Sequence, residues 1–75
     1  MTTGPHLEKR FGLTAVKKGF ITLEQLMTAL KIQLKEDLDD LSRHRLLGEI
    51  LIELGFMNTE QINKVLELIG IPADL

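Results

Sequence analysis

The chain contains no cysteine among its 75 residues, and this absence excludes disulfide bonds and thiolate metal sites. Long apolar runs are also missing, because no stretch approaches the roughly 20 residues that a transmembrane helix needs. The N-terminal residues MTTGPHLEKR lack the apolar centre of a signal peptide, so a cytoplasmic protein without membrane insertion is expected. The net charge of −2 argues against a generic nucleic-acid binder, which carries a basic excess.

Catalytic patterns are missing as well. There is no Gly-x-x-x-x-Gly-Lys-Ser/Thr phosphate loop, and no Ser/His/Asp or Cys/His set for nucleophilic catalysis. His6 and His44 stand far apart, without the carboxylate spacing of a metal site. We therefore expect a protein that is not an enzyme and that has no catalytic residue, bound metal or resident cofactor.

What is present is an apolar fraction of 44% arranged at helical spacing. Four segments carry such a pattern and none alternates long enough for a strand, so the sequence predicts an all-α fold of four helices. Thr22 to Gln25 and Asn58 to Gln61 have the pattern of capping boxes. The first predicted helix runs from Leu7 to Lys18 and is ended by Gly19, and the second begins at Thr22 and breaks at the exposed KEDLDD connection (35–40). The third is capped by Asp40 or Ser42 and ended by Gly55. The fourth begins at Asn58 and is ended by Gly70 and Pro72.

One helix-turn-helix sequence pattern occurs twice in the chain, with an offset of 36 residues. The first copy covers residues 10–33 and the second covers residues 46–69 of a single domain, 1–75. The offset pairs Gly12 with Gly48, Gly19 with Gly55, Phe20 with Phe56, Glu24 with Glu60, Gln25 with Gln61 and Leu30 with Leu66. A helix pair with one apolar face cannot bury it alone, so the two copies are expected to pack on each other.

Gly12 and Gly48 lie before or inside the first helix of each unit, where glycine costs about 1 kcal/mol relative to alanine. Their recurrence predicts close backbone approach. The approaching group is either a partner helix or a ligand, and the sequence leaves both open.

The first copy follows a longer pattern. Arg-Phe-Gly (10–12) precedes the apolar pair Ala15-Val16, Gly19, the pair Phe20-Ile21, Leu26, Leu30 and Gln33. This pattern resembles the repeat of the MshEN domain, the N-terminal module of type II secretion and type IV pilus assembly ATPases, with Phe11 replacing the usual leucine. The LIGIPADL tail is similar to the stretch that follows this module in the secretion ATPases. The resemblance covers Arg10 to Ile69.

The resemblance implies two tandem motifs that together bind cyclic di-GMP. Carried over to the first copy, it implies polar and backbone contacts from Arg10, Gly12 and Gln33, and an apolar bed from Phe11, Leu26 and Leu30. A guanidinium pairs with phosphate or stacks on a base, and glycine lets a backbone N–H approach a phosphate.

The second copy departs from the pattern at both ends, where Leu46 stands for Arg10 and Ile69 for Gln33. Arg45 lies one residue early, which turns its direction by about 100° on a helix. The remaining positions are kept, so the implied second half of the site consists of Arg45, Leu47, Gly48, Ile62 and Leu66. We expect this half to bind more weakly, or not at all.

Two other functions are compatible with the sequence. The degenerate second motif suits an MshEN-like domain that docks on secretion or pilus assembly components without binding nucleotide. The segment LGFMNTEQINKVL (54–66) mimics a helix-turn-helix DNA binder, against which the net charge and the acidic Glu60 both argue. A homodimer in which two first motifs share one two-fold-symmetric ligand is a further expectation. The sequence fits a free-standing protein and a fragment of a longer ATPase equally.

Overall fold

Four α-helices make up the part of the chain that the computed structural model describes, which is residues 5–40, 42 and 44–70, with side chains from residue 9 onward. No strand occurs in those ranges, so the predicted all-α fold class is confirmed. α2 packs against α3, and α1 contacts the other three helices. In chain order the helices are α1 (Pro5–Lys17), α2 (Leu23–Asp39), α3 (Leu47–Glu53) and α4 (Thr59–Leu68). The side chain of Leu7, the terminator Pro72 and the tail from residue 71 onward lie outside the described residues.

Both predicted capping boxes are confirmed. The Thr22 hydroxyl accepts a hydrogen bond from the Gln25 N–H at 3.0 Å, and the Gln25 side chain accepts one from the Thr22 N–H at 2.9 Å. Asn58 and Gln61 exchange the same two bonds at 2.8 and 3.1 Å. These bonds satisfy N–H groups that have no partner inside the helix, and so they determine where α2 and α4 begin.

Glycine ends the first helix of each pair, as predicted. Gly19 and Gly55 have φ values of 81° and 80°, in the left-handed region that favours glycine. At the first turn the Phe20 N–H donates to the Ala15 carbonyl at 3.0 Å, and the equivalent bond at the second turn measures 2.9 Å. This bonding is the Schellman motif, which satisfies carbonyls at a helix end and reverses the chain.

Beyond these turns the two halves differ in extent. α1 has 13 residues whereas α3 has 7, and α2 has 17 whereas α4 has 10. The tandem repeat with an offset of 36 residues is therefore not confirmed, and the duplication remains an interpretation of the sequence.

The core lies where α3 is enclosed by the other helices. Leu47, Ile50 and Leu51 expose at most 1% of their surface, and Val65 of α4 is equally buried. The alanines of α1 and α2, Ala15 and Ala29, are fully buried. The rest of the buried apolar cluster is Phe11, Ile21, Leu26, Met57, Ile62, Leu66 and Ile69.

The predicted break at KEDLDD (35–40) is wrong. α2 continues through Asp39, and Asp40 is its C-cap, with its N–H donating to the Glu36 carbonyl at 2.9 Å. Residues that follow the helix bind its last turns: Arg45 pairs with Glu36 and His44 with Asp37. Helix propensity depends on neighbouring residues and does not include these partners, because His44 lies seven residues after Asp37 and Arg45 lies nine residues after Glu36.

The predicted cap of the third helix is also wrong. α3 begins after Leu46, whose N–H donates to the Glu49 carboxylate at 2.9 Å. Asp40 instead accepts from the backbone N–H and hydroxyl of Ser42, at 3.1 and 2.6 Å. Asp40 and Ser42 thus form a local turn after α2, and neither residue caps α3.

Gly12 lies where α1, α2 and α3 meet. A Cβ at this position would lie 2.7 Å from Leu26 Cδ1 and 3.4 Å from Leu47 Cδ2. A Cβ at Gly48 would lie 3.2 Å from Ile62 Cδ1 and 3.5 Å from Phe11 Cζ. Helix packing therefore accounts for both glycines.

We expect Gly12→Ala to lower the free energy of unfolding by about 1 kcal/mol. The added methyl group overpacks Leu26, which costs about 1–3 kcal/mol, whereas the higher helix propensity of alanine returns only about 1 kcal/mol. Gly48→Ala is the matched control, with a longer closest contact and a smaller expected loss. Urea unfolding followed by circular dichroism measures both. A Gly12→Ala variant as stable as the wild type, or more stable, would contradict the close contact.

Candidate functional site

A groove of about 510 Å³ opens between α1 and α2 and is closed at one end by the start of α3. Its floor is buried, whereas Leu13, Leu30 and Leu34 line it from exposed positions. Its volume lies within the range of roughly 300–1,000 Å³ that is usual for small-molecule sites. The described residues that line it are Lys9, Gly12, Leu13, Leu26, Leu30, Gln33, Leu34, Asp37, His44 and Leu47.

The groove brings together five of the residues that the resemblance implies. They are Gly12 of α1, then Leu26, Leu30 and Gln33 of α2, and Leu47 of α3. The three α2 residues follow one another at intervals of four and three, so they lie along one side of the helix. They form a mainly apolar wall with one amide.

The remaining predicted residues lie elsewhere. Arg10 is exposed on α1 and is not among the described residues that line the groove. Phe11 is buried in the core, as are Ile62 and Leu66, and Gly48 packs against Ile62. Most residues of the implied second half of the site are therefore buried in the protein core.

Gln33 is a buried polar residue that has a structural partner. Its side chain is only 7% exposed, and its Nε2 donates to the Arg45 carbonyl at 2.9 Å. This bond ties the middle of α2 to the segment that leads into α3. The sequence predicted a solvated or ligand-facing glutamine, since the partner lies 12 residues away.

Arg45 does not reach the groove, because two carboxylates hold its guanidinium. Its Nε and Nη2 donate to the two oxygens of Glu36 at 2.9 and 2.5 Å, in a bidentate pair. Its Nη1 donates to Glu53 at the end of α3. Hydrogen bonds to Glu36 and then to Glu53 raise the pKa of Arg45 above its ordinary value, so it stays a cation. Arg45 therefore links the ends of α2 and α3.

Sequence reasoning missed the polar rim of the groove. Lys9 precedes the predicted Arg10, and His44 was assigned no role. His44 Nδ1 lies 2.9 and 3.0 Å from the two carboxylate oxygens of Asp37. Asp37 lies in α2 and His44 follows the helix, seven residues later. A prediction that ends the helix at residue 35 does not bring the two together.

Two kinds of site are absent from the described part of the chain. Within it, no group of three or more His, Asp or Glu side chains is arranged to hold a metal ion. None of the helices described there combines the length and apolarity that crossing a membrane requires.

Comparison with protein-family models, with curated proteins and with solved structures finds no match to this chain.

We expect Gln33→Leu to lower the free energy of unfolding by about 1–2 kcal/mol. The variant keeps the apolar part of the side chain but leaves the part-buried Arg45 carbonyl without its amide donor. Thr28→Ala, at an exposed position of the same helix, is the control and should change stability by less than about 0.5 kcal/mol. Urea unfolding measures both. If Gln33→Leu is neutral or stabilising, the bond does not contribute as we infer.

Proposed function

We propose that this chain is a non-catalytic regulatory module that binds cyclic di-GMP in the groove between α1 and α2. The proposal comes from the resemblance of the first motif to the MshEN repeat. The observation that carries it is that Gly12, Leu26, Leu30 and Gln33 line a single groove. In this proposal the module serves a bacterial secretion or pilus system.

The lining has suitable chemistry for such a ligand. The leucine side chains offer flat apolar surface to the faces of a guanine base, and burial of that surface favours binding. Lys9 supplies a cation at the rim, and Arg10 is its exposed neighbour on α1. In this proposal Arg10 swings toward a phosphate, since a long side chain at an exposed helix position is free to change rotamer.

The second motif offers less to a ligand. Leu30 is 37% exposed, whereas its counterpart Leu66 is 9% exposed, and Ile69 stands buried where Gln33 stands in the first motif. We therefore infer that one chain supplies one half-site, which binds one nucleotide alone or shares it with a second chain.

Calorimetric titration with cyclic di-GMP tests the proposal, and we expect saturable heat with one ligand for each chain or for each pair of chains. Leu30→Ala should weaken binding about tenfold, because it removes apolar contact from the groove wall. Leu38→Ala is the matched control, since Leu38 is an exposed leucine of the same helix and does not line the groove. Arg10→Ala should also weaken binding, with Lys17→Ala as its control. Absence of heat and of a thermal shift at hundreds of micromolar ligand would contradict the proposal.

Protein docking without nucleotide is the second candidate function. The observation that favours it is that the second half exposes apolar side chains while its motif residues are buried. Ile52 of α3 and Leu68 of α4 are 43% and 47% exposed. Such side chains, desolvated in a complex, are a common source of binding energy.

Pull-down of purified secretion or pilus assembly components by the immobilised chain tests the docking function. We expect Ile52→Glu and Leu68→Glu to abolish a complex that the wild type forms, since each places a charge in an apolar contact. Leu23→Glu, on the first half, is the control and should retain it. A complex that survives both second-half substitutions would assign docking to another surface.

A further inference from the structure

A stripe of exposed apolar side chains runs the whole length of α2. It lies beside the core-facing side of the helix, where Leu26, Ala29 and Gln33 are buried. Most of its members expose more than half of their surface, which is unusual for five large apolar residues in one row. The apolar stripe consists of Leu23 (58%), Met27 (56%), Leu30 (37%), Leu34 (62%) and Leu38 (85%).

The first four stripe residues have the spacing of a helix–helix seam. Leu23, Met27, Leu30 and Leu34 follow one another at intervals of four, three and four residues, which is the heptad alternation of paired helices. The series reads the same in both directions. An antiparallel copy of α2 therefore matches it layer by layer, with Leu23 opposite Leu34 and Met27 opposite Leu30.

Charged residues next to the stripe make this pairing directional. Glu24 and Lys31 are exposed, and each directly follows a stripe leucine, Leu23 or Leu30. They lie seven residues apart, about 10 Å along the axis, which is too far to pair within one helix. Neither takes part in an ion pair within the described part of the chain.

In the antiparallel arrangement these charges complement each other. When Leu23 packs on Leu34 of a second copy, Glu24 is level with Gln33 of that copy. Lys31 of that copy lies two residues from Gln33, about 3 Å along the axis, on the same side of the seam and within reach of Glu24. The two-fold axis repeats this contact, so the dimer holds two opposite-charge pairs. A parallel arrangement would set Glu24 level with Glu24 and Lys31 level with Lys31, and the attraction would be lost.

We propose that α2 is the dimerisation helix of this protein, and that its apolar stripe pairs antiparallel with α2 of a second copy. Leu30 and Leu34 belong both to the stripe and to the lining of the groove between α1 and α2, so this dimer would cover part of that groove. Leu23 and Met27 do not line the groove between α1 and α2, so the dimer can be tested on a chain whose groove is unchanged.

Sedimentation equilibrium of the full chain without nucleotide, from about ten micromolar to about one millimolar, tests the dimer. We expect the average mass to rise with concentration from 8.5 kDa toward twice that value. Met27→Glu should leave the chain monomeric, because the two-fold axis places the new charge in both of the central contacts between residue 27 of one copy and Leu30 of the other. Its thermal unfolding should stay two-state, since Met27 is exposed in the single chain. A wild type that remains monomeric throughout this range would overturn the proposal.

A charge-exchange cycle tests the antiparallel register. Lys31→Glu and Glu24→Lys alone should each raise the dissociation constant of the dimer about fivefold, since each turns two attractions into repulsions. The double variant Glu24→Lys/Lys31→Glu should return it close to the wild-type value. Lys64→Glu, at an exposed position of α4 and with the same charge change as Lys31→Glu, is the control. If the double variant dimerises no better than the single ones, the antiparallel pairing is wrong.

Discussion

The mutual contact between α1 and α3 is the constraint on which the rest of the structure depends. Each helix offers a glycine to the other at the crossing: Leu47 reaches over Gly12, and Phe11 reaches over Gly48. The glycines let the side chains of one helix approach the backbone of the other, and this closeness helps a helix as short as α3 to bury Leu47, Ile50 and Leu51. α2 and α4 then add Leu26 and Ile62 against the same glycines. A 75-residue chain without disulfides has few other means of forming a core.

The local features of the fold could be predicted from the sequence, and those that depend on distant partners could not. Capping boxes at Thr22 and Asn58 act within four residues and the glycine turns within six, which is why both were predicted correctly. The last turns of α2 are different. Their acidic residues oppose the negative end of the helix dipole, so a local reading favours a break before Asp40. Arg45 and His44 offset this repulsion after the chain has turned back.

The same distinction applies to the candidate site. The resemblance implied ligand contacts from Leu26, Leu30 and Gln33, and all three line the groove from α2, because their spacing places them on one side of a helix. It did not reveal that Gln33 is bonded to the Arg45 carbonyl, nor that the Arg45 guanidinium is held by carboxylates. Both facts follow from how the connection between α2 and α3 folds back, and this depends on tertiary contacts. A motif residue therefore indicates where its side chain lies better than it indicates which group that side chain binds.

The groove wall and the exposed stripe both lie on α2, the longest of the four described helices. In the second half α4 ends at Leu68, and the counterparts of the groove wall, Ile62 and Leu66, are covered. In the first half α2 runs on to Asp39, and its far end is held by Arg45 beside α3. Leu26 of α2 is buried, whereas the apolar stripe, which includes Leu30, is left uncovered. Apolar surface that is left open in this way has a free-energy cost in water, and a ligand in the groove and a second copy on the stripe would each remove part of that cost.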